Sequence, residues 1–259
     1  MRMKRYFAIS VLVGCVFISG LAPASAQAED LALLLNKISK RINSYPENNN
    51  LQYKIVKKST EMDKQWRPKK TTVTKIFEKV VDGMLSSEVL ETVEIEDGIA
   101  KNIKEEAIKQ NRIRMGRKNK RSTEQKDQKS TENEFEGFIP FNEKRRAKFE
   151  FKRLNDDTIN EGPVFIIETV AKEKDEDLFE GKYYIDQKTY DVLKARLKAS
   201  KKPKFVKEAD MDIDFQVLPE GNFMIRRFKA RLDVGLLFIR IRAIIEEEYF
   251  DVKILDSKS

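Results

Sequence analysis

Apolar residues fall at Leu31, Leu34, Leu35, Ile38 and Ile42, with Asn36, Lys37, Lys40 and Arg41 on the other side of the cycle. This is the stripe of an amphipathic helix of about four turns, closed by the turn residues of YPENNN. It predicts a helix that covers one side of a sheet; a helix lying on a membrane surface is the alternative. After it the period changes to two. LQYKIVKKSTEM from Leu51, TTVTKIFEKVVDG from Thr71 and MLSSEVLETVEI from Met84 read as strands, the last also compatible with a helix. Asp82-Gly83 is a hairpin signal between the second and third. Trp66, in the polar connection DKQWRPKK, is expected to fold back onto its own sheet.

Alternation returns after Phe138 and runs almost to the end. AKFEFKRL sets Phe149 and Phe151 on one face, and VFIIETVA sets Phe165 and Ile167 on one face with Val164 and Ile166 opposite. GKYYIDQKTYDVLKARL reads as a hairpin turning at Asp186-Gln187-Lys188, with Leu193, Ala195 and Leu197 in register. NFMIRRFKARLDV aligns Met224, Phe228, Ala230 and Leu232. LLFIRIRAIIEEEYFDVKI aligns Leu237, Ile239, Ile241, Ala243 and Ile245, with Arg240 and Arg242 facing away. Six or seven consecutive strands with short turns make an antiparallel meander, wetted on one side and covered on the other. Their polar faces are too densely charged for a membrane-spanning barrel.

ADMDIDFQVLPEG (209–221) poses a choice between a calcium loop and a strand. A calcium loop requires Gly where Phe215 stands and Glu where Gly221 stands. Ala209, Met211, Ile213, Phe215 and Val217 alternate with Asp210, Asp212, Asp214 and Gln216, and same-face carboxylates of a strand lie roughly 6.6 Å apart, too far to share one ion. The segment is a strand whose aspartates are its wet face, and no metal site is expected.

Charge and composition narrow the function. The first residues combine Arg2, Lys4 and Arg5 with an apolar run and small-residue sites at Ala24-Ser25-Ala26 and Ala26-Gln27-Ala28. This is the form of a secretory signal over residues 1–28, cleaved after Ala26 or Ala28, which predicts a periplasmic protein. The rival reading is a lipoprotein anchored through Cys15 of LVGC, although Val16, Phe17 and Ile18 continue the apolar run beyond it. Cleavage removes the one cysteine, so stability must come from core burial rather than disulfides. The chain has no histidine, which closes the usual Ser-His and Cys-His routes and the usual zinc ligands. Neither an enzyme nor a cofactor is expected.

Of the net charge of +8, +7 sits in residues 101–129, which hold 11 Lys and Arg against 4 Asp and Glu. The tract runs into RSTEQKDQKSTENEFEG without an apolar period, and residues 101–137 read as a mobile basic insertion with at most a short helix at its start. Its candidate contacts for anionic headgroups or a membrane are Arg112, Arg114, Arg117, Lys118, Lys120 and Arg121. A solvated charged loop is the plainer alternative, and nucleic acid is an improbable partner for an exported protein.

Helix, strands, YYID followed by Thr189 and Tyr190, and then DMDIDFQVLPEG with a closing strand pair resemble the outer-membrane lipoprotein-sorting proteins, the LolA/LolB-like family. The resemblance covers mainly residues 135–252 and, more loosely, the helix at 30–44. It implies a single mainly β (α+β) domain over residues 29–259. The fold would be a strongly curved antiparallel sheet forming an unclosed barrel, with the N-terminal amphipathic helix and further helical or loop cover on the concave side. It implies a carrier or chaperone that holds a lipid, or the acyl chains of a lipoprotein, in an apolar cavity and passes them toward the outer membrane, as a monomer that meets a membrane partner. A non-enzymatic interaction or sensor module on the same fold is the alternative. Alternation nominates the cavity residues: Phe149, Phe151, Phe165, Ile167, Leu193, Leu197, Met211, Ile213, Phe215, Phe228, Ile239 and Ile241. For any one of them an ordinary core side chain is the plainer reading, because core packing is what such alternation usually serves.

Overall fold

The computed structural model describes residues 24–82, 84–126, 136–160, 162–236 and 239–255, with side chains for 30–82, 84–116, 137–160, 162–235 and 240–255. The expected signal and Cys15 lie outside the described residues, apart from the backbone of residues 24–28. Helix α1 (Ala24–Ile42) leads into β1 (Leu51–Met62), β2 (Pro68–Val81), β3 (Met84–Glu96) and the short β4 (Ile99–Asn102). Helix α2 (Lys104–Lys126) and one turn of helix, α3 (Glu143–Arg146), precede β5 (Phe149–Arg153) and β6 (Asp157–Ile159). The meander β7 (Gly162–Ala171), β8 (Phe179–Asp186), β9 (Val192–Ala199), β10 (Val206–Val217), β11 (Phe223–Leu236) and β12 (Ile239–Ile254) completes the chain.

All twelve strands form one antiparallel sheet in the order β4-β3-β2-β1-β12-β11-β10-β9-β8-β7-β5, with β6 also on β7. Two meanders are thus sewn together where the first strand pairs the last, Ser59 opposite Ile245. The sheet does not close, because β3–β4 and β5–β6 are its two edges. Bulges in β3, β9, β10, β11 and β12 supply local bends of the kind that curve a sheet. Asp82, at φ +51°, stands in the two-residue connection that sets Val81 opposite Met84, as the hairpin signal required.

On the convex face charged rows alternate from strand to strand. Lys194 and Arg196 of β9 reach Asp214 and Asp212 of β10, each at 3.2 Å. Arg231 of β11 meets Glu208 at 2.8 Å, and Lys229 meets Glu246 of β12 at 3.0 Å. The aspartates of ADMDIDF are therefore the wet face of a strand. Each exposed pair contributes under about 1 kcal/mol, so the rows serve register more than stability. Trp66 folds onto this face, its ring 3.8 Å from the Arg231 guanidinium. Among the described residues, no helix is long and apolar enough to cross a membrane.

The core lies on the concave side of β7–β11. Leu34, Leu35 and Ile38 of α1 press into Ile167, Tyr183, Ala195, Ile213 and Phe215, and Ile38, Ile167, Ala195 and Ile213 have no exposed surface. The tract read as a mobile insertion with a short helix at its start carries, after β4, a 23-residue helix. Lys, Glu, Gln and Arg are good helix formers even without a strong apolar stripe. Helix α2 covers β2–β3 on the same side of the sheet as α1: Arg114 meets Glu78 at 2.8 Å, and Glu78 stands opposite Tyr53, two pairs along from Ile76 and Ile55 and so on their face. Ile55 in turn is paired with Tyr249, which packs against the α1 core.

Candidate functional site

The concave surface under α1 is filled. Besides the helix, residues 139–141 enter from the chain that follows α2: Ile139 and Phe141 are buried, and Tyr183 donates its hydroxyl to the Phe138 carbonyl at 2.7 Å. Burial pushes the Tyr183 hydroxyl well above its ordinary pKa, so it stays a neutral donor. Of the twelve cavity candidates, Ile167, Leu197, Ile213 and Phe215 are core side chains under α1, and Phe151, Phe165, Met211 and Phe228 surround them half-buried. Phe149 is buried in a small satellite cluster with Ala171 and Leu178, bridged to the main core by Phe151.

One candidate departs from the alternation. Tyr184 is paired with Lys194 and Ile185 with Val192, so Leu193 is the extra residue of a bulge, and Val192 takes the buried position expected of it. A bulge on β11 likewise sets Phe223 and Ile225, rather than Met224, on the core side with Phe215. Ile241 is 56% exposed, at the end of β12 beyond the α1 core. The side chain of Ile239 lies outside the described residues, as do those of Arg117, Lys118, Lys120 and Arg121. Arg112 is exposed on α2. Arg114 is engaged by Glu78, whose buried carboxylate also accepts from Tyr53 at 2.9 Å and Ser87 at 3.2 Å.

Polar links to the sheet and to α3 hold helix α1 along its length. Near its end, Asp191 accepts from Arg41 Nε at 2.6 Å and from the Tyr45 hydroxyl at 2.7 Å. Burial alone would raise the Asp191 pKa, but the hydrogen bonds from Arg41, Tyr45 and Thr189 outweigh it and hold the group below its ordinary value. Tyr45 in turn stacks on Phe223 with ring centroids 4.7 Å apart. Midway, Arg146 donates to Asn36 Oδ1 at 2.6 Å; at the start, Arg153 pairs with Asp30. Sequence reasoning missed Asp191, Tyr45 and residues 139–141. Only the apolar FIPF after a long polar tract hinted at the last of these.

Open space lies at the rim, along the seam between α1 and the edge strand β5. One basin of about 540 Å³ has a floor of Leu31, Leu35, Phe149 and Phe151 and a lip of Glu143, Arg146 and Lys172. A second, of about 600 Å³, continues past the same Leu31 and Phe151 toward Arg153 and Asp156. A third hollow, of about 450 Å³, lies on the convex face at Gly181 between charged side chains. The first basin is the apolar one, and Phe149 and Phe151 bring two of the predicted cavity residues to it. Its volume is within the range of small-ligand sites.

No family model matches the sequence, and no curated protein matches it. Solved structures do resemble the chain. An outer membrane lipoprotein-sorting protein domain from Vibrio parahaemolyticus is 12% identical, over 87% of this chain and 93% of that one, with a TM-score of 0.41. A DUF1329 family protein from Desulfovibrio piger is 8% identical over 90% and 95%, at 0.39. A LolA superfamily protein from Nitrosomonas europaea is 9% identical over 86% and 94%, at 0.33.

Proposed function

We propose that the protein is a periplasmic carrier or chaperone, not an enzyme, that shelters the acyl chains of a lipid or lipoprotein and passes them toward the outer membrane. The observation that carries this reading is the open apolar basin where α1 meets β5, floored by Leu31, Leu35, Phe149 and Phe151. Sheltering a chain needs no chemistry, because each methylene removed from water contributes about 0.8 kcal/mol. In this reading the basic α2, with Arg112 exposed on it, meets the anionic headgroups of the donor or acceptor membrane. Mass spectrometry of lipids extracted from the purified protein, together with titration of a fluorescent acyl probe, tests it. Lipid-free protein that ignores the probe sinks the reading.

A second reading, an interaction module on the same fold, is favoured by the opposite edge of the sheet. Val81, Met84, Leu90, Ile95 and Ile99 are all exposed there, Ile99 by 73%. Capture of a periplasmic protein that is lost on Ile99→Asp and Met84→Asp, with probe binding intact, would favour this reading.

A further inference from the structure

The charges on the lip of the α1–β5 basin are unequal. Arg146 and Lys172 stand there against Glu143, and Lys144 and Lys148 are exposed close by in sequence on α3 and just after it. Arg146 is spent on Asn36 Oδ1, a neutral acceptor, and among the described residues neither Arg146 nor Lys172 forms an ion pair. On the convex face, by contrast, Lys194, Arg196 and Arg231 each lie within 3.2 Å of a carboxylate. An apolar floor edged by uncompensated cations is the complement of a molecule with one hydrocarbon tail and one negative head.

We propose that this basin selects a single-chain anionic amphiphile, its tail over Leu31, Leu35, Phe149 and Phe151 and its head between Arg146 and Lys172. The assignment rests on the acyl-site reading of the basin above and adds the class of ligand. Leu31 and Leu35 from α1 and Phe149 and Phe151 from β5 line the basin, and a space of about 540 Å³ suits one chain rather than two. A longer tail continues past Leu31 and Phe151 into the second basin, since both residues line both spaces. The head chemistry, a single negative charge on one chain, is common to free fatty acids and to anionic lysophospholipids.

The test is displacement of a fluorescent long-chain carboxylate from the exported protein by palmitate, by lysophosphatidylglycerol and by methyl palmitate. The anionic competitors are expected to displace the probe at least about tenfold better than the ester, and the stronger of the two identifies the source. Lys172→Glu, an exposed change that leaves the core untouched, is expected to remove most of that preference without altering displacement by the ester. Phe151→Asp is expected to weaken all three. Equal displacement by ester and acid, or a Lys172→Glu variant that binds as the parent does, overturns the proposal. Lipid that co-purifies with the protein and ignores both variants leaves acyl carriage standing and removes this site; a protein that binds no amphiphile removes both.

Discussion

Removing the Asp191 carboxylate tests how α1 is held over the sheet. Asp191→Ala deletes two hydrogen bonds to a buried charge, from Arg41 Nε at 2.6 Å and from the Tyr45 hydroxyl at 2.7 Å. Such bonds contribute about 1.5–3 kcal/mol each, but Arg41 is 35% exposed and its bond is partly screened by solvent. The expected loss is therefore about 3 kcal/mol, or roughly 6–12 °C in Tm for a chain of this size. Asp191→Asn keeps the shape and one acceptor, and about half that loss is expected. The pH dependence has a definite sign. Because the folded-state pKa is depressed, the contribution is complete above the ordinary carboxylate value near 4 and disappears as pH falls through the folded value. Urea unfolding at about pH 7 and about pH 3 should show the gap between parent and Asp191→Ala narrowing in acid. Coincident curves at neutral pH, or a gap that does not change on acidification, would refute the clamp.

Three further perturbations probe other parts of the frame. A Cβ on Gly181, at φ +153°, would lie 2.0 Å from the Arg196 carbonyl oxygen, so Gly181→Ala must prise β8 from β9 and should cost at least about 3 kcal/mol; an unchanged melting temperature would contradict it. Hydrogen bonds from Arg240 and then Arg242 hold Asp233 down at about 2, so its carboxyl carbon should titrate there by NMR, and the stability it adds should be lost only as pH falls from about 4 toward that value; titration near 4 would dissolve the cluster. Glu78→Ala removes the buried acceptor of Tyr53, Ser87 and Arg114 and should raise amide exchange in residues 104–116 by at least about tenfold, whereas unchanged protection would mean that α2 is held by other contacts.

What could be read from the chain depended on whether a residue's position was set by its own element or by a neighbour. Leu34, Leu35 and Ile38 were legible because a helix sets its own period, and Ile213 and Phe215 because an unbroken strand does. Leu193 and Met224 were misread for one reason. A bulge places two residues against one and resets the parity, and it is a property of the pairing with the next strand rather than of the strand's own letters. Helix α2 was underread because its half-buried positions, Lys104, Ala107, Ile108, Asn111 and Met115, include charged, small and polar residues, and its anchor is a charge, Arg114, with a partner 36 positions away. The basin at β5 was half legible. Alternation nominated Phe149 and Phe151, but that they meet α1 at an open seam depends on where the helix stops covering the sheet.

That seam also bears on what admitting a hydrocarbon chain would cost. To admit a chain into the filled concavity, α1 would have to lift Leu34, Leu35 and Ile38 from their present burial. At about 1.5–3 kcal/mol for each side chain, this comes to roughly 5–9 kcal/mol before the Asp191 clamp is broken. A tail burying ten methylenes gains about 8 kcal/mol gross, from which the cost of association is still to be subtracted. Full displacement of the helix is thus close to balanced at best. Occupying the basin requires no displacement, since Leu31 and Phe151 are already only half-buried at its floor. A chain seated there would also lie against Leu35, whose other side belongs to the core. On these magnitudes the helix and a bound tail would compete for one apolar surface, and the competition would begin at the rim, where the sheet's own edge leaves the helix uncovered.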